Sequence, residues 1–126
     1  MSGPKHSCGV VGITADFDVA PALHTALMII QHRGQESAGI VVNDDGVFSS
    51  HMDEGLVNDV FSRDSLSKLG EGNMAIGQVR YGTMTTKGRD NIEPVVVNHI
   101  KGRLALATDG KLTNAQELRR ELELDG

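Results

Sequence analysis

Ala38-Gly39-Ile40-Val41-Val42-Asn43, then Asp44-Asp45-Gly46, then Val47-Phe48-Ser49-Ser50-His51-Met52: two β-prone runs joined by a short Asp/Gly tract predict a hairpin. Pro94 to Ile100 and Arg103 to Thr108 repeat the pattern across Lys101-Gly102. Adjacent hairpins pair antiparallel, and no regular alternation of strand and helix runs through the chain. A doubly wound parallel sheet is therefore disfavoured. The predicted class is α+β, antiparallel sheet with helices packed on it.

Working outward, Cys8 to Thr14 is short, apolar and Val/Ile-rich, the pattern of a buried strand. Asp16 to Asp18 read as a turn. A helix should start near Pro21, a residue that suits the first helical turn. Leu23, Ala26, Leu27 and Ile30 then follow i, i+3, i+4, i+7 spacing, and Gly34 is the predicted C-cap. Leu56 to Phe61 and Ser65 to Leu69 read as short helical pieces, and Asn73 to Arg80 as a further strand. A polar loop from Gly82 to Asn91 follows, long enough to point to function. Asn114 with Glu117 gives a capping-box-like start to a last helix that runs to about Leu124.

The chain has 126 residues, enough for one domain, with 39% hydrophobic and 23% charged residues. Three Phe, one Tyr and no Trp leave an aliphatic core. A net charge of −5, with no Lys/Arg cluster against it, argues against a nucleic-acid surface. A single cysteine excludes an internal disulfide framework or a Cys-based metal site within the chain. No run approaches the ~18 apolar residues of a membrane span. Met1 to Ser7 lack the apolar core of a secretory signal. These readings together give a soluble, cytoplasmic domain.

That one cysteine, Cys8, heads the first strand. Cleavage of Ser7–Cys8 would give one residue both a thiol and a free α-amine. With ordinary pKa values near ~8.5 and ~7.7–8.0, the amine is a base matched to neutral pH and within reach of the nucleophile. Alone, a cysteine is more often a small buried hydrophobe. Three other segments alter that balance. Gln31-His32-Arg33-Gly34-Gln35-Glu36-Ser37 is a polar, glycine-bearing connection, otherwise an ordinary helix exit. Gly77-Gln78-Val79-Arg80-Tyr81-Gly82-Thr83 delivers an arginine from a strand into a loop, as a surface cation or as a planar clamp for a carboxylate. Leu104 to Asn114 ends a strand in Thr108-Asp109-Gly110-Lys111 just before a helix, which a plain turn would also explain.

In this order, behind Cys-Gly-Val-Val-Gly-Ile, the segments resemble the class II glutamine amidotransferases of the N-terminal-nucleophile superfamily, in their amidophosphoribosyltransferase branch. The glucosamine-6-phosphate synthase branch usually carries Arg-Trp where this chain has Arg80-Tyr81. The resemblance runs from Cys8 to Leu124. It implies an αββα sandwich of antiparallel sheets flanked by helices, of which residues 8–126 form the N-terminal half, with residues 1–7 a removable leader. It further implies that Cys8 attacks the side-chain amide of L-glutamine, its own α-amine moving the proton. Arg80 holds the substrate α-carboxylate, with Thr83 in the same pocket, and the His32-Arg33-Gly34 loop supports the N-terminal residue. Asp109 and Gly110 fall at the oxyanion-hole positions. No metal or cofactor is implied in this chain; magnesium belongs with a phosphoribosyltransferase domain, the partner that uses phosphoribosyl pyrophosphate in the full, homo-oligomeric enzyme of purine biosynthesis.

Two departures bear on activity. The family usually reads His-Asn-Gly-Asn where this chain reads Thr108-Asp109-Gly110-Lys111. An Asn amide donates to a developing oxyanion, whereas an ionised Asp only accepts. Loss of one such donor costs ~10²–10³ in kcat, so impaired turnover is expected. The acidic residue that the family uses for the substrate α-amine also falls beyond Gly126. Half a sandwich exposes sheet edges and an apolar face, so association or marginal stability is expected too.

Overall fold

The computed structural model describes residues 8–31, 35–81, 93–108 and 114–125. The hairpin forms as its turn chemistry demands. Strands β2 (Gln35–Asp44) and β3 (Val47–Glu54) pair antiparallel around Asp45 and Gly46, whose φ values of 50° and 90° are the type I′ signature. The Gly46 N–H donates to Asn43 Oδ1 at 2.7 Å, closing the turn. β1 (Gly9–Thr14) and β4 (Met74–Tyr81) complete a four-stranded sheet of order β1-β4-β2-β3. Every neighbour in it is antiparallel, as the hairpins predict.

Alternation along these strands sorts the residues into two sets. Val11 and Ile13 of β1, Ile40 and Val42 of β2, and Ala75 and Val79 of β4 turn to one side. There they meet helix α1 (Ala20–Ile30), whose Leu23 and Leu27 are wholly buried. α2 (Val57–Val60) and α3 (Arg63–Lys68) close the same layer through Val57, Val60, Phe61 and Leu69. Ser62 caps α3 in a reciprocal capping box with Ser65.

On the other side lies a second antiparallel sheet, β5 (Val95–His99) with β6 (Gly102–Leu106). An apolar cavity of about 180 Å³ opens between the sheets, lined by Val41, Phe48, Met74, Ile76 and Ala105 among others. The outward face of this hairpin carries Val95, Val97, Leu104 and Leu106, all 42–59% exposed. α4 (Ala115–Leu124) follows. No helix among the described residues is long and apolar enough to cross a membrane.

Two local expectations need correction. α1 ends at Gln31 rather than Gly34. Gln31 is extended (ψ 143°), its N–H donates to Leu27 O, and its Oε1 accepts from the Val57 N–H at 3.2 Å. The side chain thus satisfies the first N–H of α2, which the capping rules for α1 alone do not anticipate. Asn114 makes no side-chain capping bond to α4. Its φ of −120° and ψ of 36° depart from the extended geometry that aims a cap at the first turn.

Candidate functional site

Cys8 stands immediately before β1. The β1–β4 ladder opens with Gly9 opposite Val79; carried one residue further, that register puts Cys8 across from Arg80. On β4's other flank Ser37 of β2 also faces Arg80. Directly opposed residues project from the same face of a sheet. Cys8, Arg80 and Ser37 therefore form one row across adjacent strands, on the side away from α1. The thiol is half-buried and Ser37 is buried.

Local sequence explains why this row is held firmly. Gly9 lets β1 lie directly on the end of α1, because a Cβ there would come within 2.5 Å of Ile30 Cδ1 and 2.9 Å of Val79 Cγ2. At the other flank the β2–β4 register slips between Gln35 and Ser37, a bulge that turns β2 beside Arg80 and Tyr81.

The row continues into a polar cluster absent from the sequence reading. Gln78, next on the same face of β4, is fully buried. Its Nε2 donates to Glu93 Oε2 at 3.0 Å and to Thr108 O at 2.7 Å. Thr108 Oγ1 donates to Glu93 Oε1 at 3.1 Å. Arg80 Nη1 lies 3.7 Å from Glu93 Oε2, both side chains mostly shielded from water at 23% and 16% exposure. Gly39 leaves the room this needs, since a Cβ on it would run into the Glu93 carbonyl and the Pro94 ring. No local pattern could have flagged Gln78 or Glu93, which meet across 15 residues of chain.

Of the residues singled out from sequence, Cys8 and Arg80 are thus brought together. His32, Arg33, Gly34, Thr83, Asp109 and Gly110 lie outside the described residues, as do Met1 to Ser7. Thr108, the last described residue before Asp109, ends in the Gln78–Glu93 cluster, so β6 leads toward the Arg80 row. Among the described residues no cluster of His, Cys, Asp and Glu is arranged to hold a metal ion.

Known proteins are similar to this chain in sequence and in fold. The sequence is 42% identical to human amidophosphoribosyltransferase over 129 residues, which cover 95% of this chain and 25% of the human protein. The amidophosphoribosyltransferase of Bacillus subtilis is 39% identical over 127 residues, covering 100% and 26%. Its homologues are amidophosphoribosyltransferases. Two solved structures share the fold. One, described as the allosteric regulatory enzyme of purine biosynthesis, superposes with a TM-score of 0.82 at 38% identity, covering 96% of this chain and 25% of that one. The other, the B. subtilis glutamine phosphoribosylpyrophosphate amidotransferase complexed with ADP and GMP, gives 0.78 at 38% identity and the same coverage. No family model matches. The chain spans about a quarter of the length of the amidophosphoribosyltransferases it resembles.

Proposed function

We propose that this chain carries the glutamine-hydrolysing chemistry of an amidophosphoribosyltransferase. What supports the reading is the β1–β4 register, which, carried one residue past its Gly9–Val79 rung, puts Cys8 across from Arg80. Removal of residues 1–7 exposes the Cys8 α-amine. The thiol attacks the side-chain carbonyl carbon of glutamine while the amine takes its proton. The amine returns that proton to the departing nitrogen, ammonia leaves, and a glutamyl thioester remains. Water then attacks the thioester, its proton passes to the amine and on to sulfur, and glutamate is released.

Arg80 holds the substrate α-carboxylate with its planar fork, with Thr83 in the same pocket and the His32-Arg33-Gly34 loop behind the N-terminal residue. Gly110 offers its backbone N–H to the developing oxyanion, while Asp109 offers acceptors only when ionised. Ammonia passes to a phosphoribosyltransferase domain, where magnesium and phosphoribosyl pyrophosphate are handled, within a homo-oligomeric cytoplasmic enzyme of purine biosynthesis.

A second reading, a degenerate module that binds glutamine or a partner without turnover, is favoured by Asp109 alone. Intact mass of the purified chain, before and after a glutamine-analogue electrophile, decides between them. Loss of residues 1–7 with one adduct on Cys8 supports the glutaminase. Full-length mass with no adduct leaves the binding module.

A further inference from the structure

We infer that Glu93 is a positioning residue for Arg80, clamped in place by Gln78 and Thr108; the inference rests on the glutaminase reading above. Both oxygens of the Glu93 carboxylate are held. Oε2 accepts from the Gln78 amide at 3.0 Å, and Oε1 accepts from the Thr108 hydroxyl at 3.1 Å. A carboxylate fixed at two points cannot follow the arginine; the arginine must orient to it. At 3.7 Å from Nη1 it acts through charge rather than through a short hydrogen bond. In so shielded a place that attraction is strong enough to set the direction of the guanidinium.

Gln78 is chosen for its donors. Its amide N–H groups face a carboxylate and a carbonyl, two acceptors, so the reversed amide would set oxygen against oxygen. The cost is visible: Gln78 Oε1 is buried with no donor among the described residues. A leucine would avoid that cost but would release Glu93. The same clamp fixes the end of β6.

The test is saturation labelling of Cys8 in the full chain by the glutamine-analogue electrophile, giving KI and the limiting rate, alongside labelling by iodoacetamide, which needs no substrate pocket. Glu93→Gln keeps a hydrogen-bonding side chain and removes the charge. It should raise KI about tenfold, as Arg80 loses the charge that aims it, with the limiting rate and iodoacetamide labelling unchanged. In an Arg80→Ala background the same substitution should change KI by less than about twofold, because its effect passes through Arg80. Thr108→Val, which releases only Oε1, should raise KI about threefold by the same reasoning. It decides the matter if Glu93→Gln does not fold. An unchanged KI in the variants, or an equal effect of Glu93→Gln with and without Arg80, overturns the inference alone. Wild-type chain that reacts with iodoacetamide but shows no saturable labelling by the analogue overturns the glutaminase reading and the inference with it.

Discussion

The two faces of the four-stranded sheet differ in what they spend their residues on. The face toward α1 is aliphatic and closed: Leu23, Leu27, Ile40, Val42 and Val79 are wholly buried. The opposite face of the same strands carries Cys8, Ser37, Gln78 and Arg80, and leaves Val10 and Met74 42% and 48% exposed. One residue along a strand changes the face and so changes the task. Packing against α1 makes the strands rigid, and that rigidity is what fixes the chemical row on their other side. The comparison teaches that the packed core and the proposed chemical row are neighbours in sequence yet lie on opposite faces of one sheet.

The sharpest way to break this separation is at the row itself. Cys8→Ala should abolish both the analogue adduct and glutamate release, measured by mass and by coupled assay, while the melting temperature moves little because the residue only borders β1. Asp109→Asn should raise glutamate release by about 10²–10³, the worth of one restored oxyanion donor; no gain would show that Asp109 is not what limits turnover. On the other face, Leu27→Ala should cost about 2–5 kcal/mol in chemical denaturation, as a fully buried leucine leaves a cavity. Val10→Ala, partly exposed beside Cys8, should cost under about 0.5 kcal/mol. A large loss there would mean that the open face is covered in solution. The outward side of β5–β6 sharpens the point. We expect a melt that depends on protein concentration, reduced by Val97→Thr with Leu104→Thr, a cross-strand pair 46% and 59% exposed.

Local pattern carried much of the fold. The β2–β3 hairpin, the α1 stripe and the antiparallel class were legible because turn chemistry and hydrophobic period act over a few residues. The insertion of β4 between β1 and β2 was not, because no strand states in its own residues which strand it will pair with. The same limit hid the ends of elements. Gln31 stops α1 while satisfying α2, a link across 26 residues. At the site, Cys8 and Arg80 stood out through their chemistry and through resemblance. The cluster around Gln78 stayed hidden because its partners are 15 and 30 residues away. A buried glutamine among valines reads from sequence as one more polar position in a strand.

The position of Cys8 before β1 has a consequence for maturation. Among the described residues, every rung between β1 and β4 lies between Gly9 and Thr14. The proposed hydrolytic cut between Ser7 and Cys8 would remove none of these rungs. The new terminus would start in register, held from its C-terminal side, and gain an amine. For the proposed N-terminal nucleophile, such a mooring would replace the usual fraying of a terminus with the stillness of a sheet.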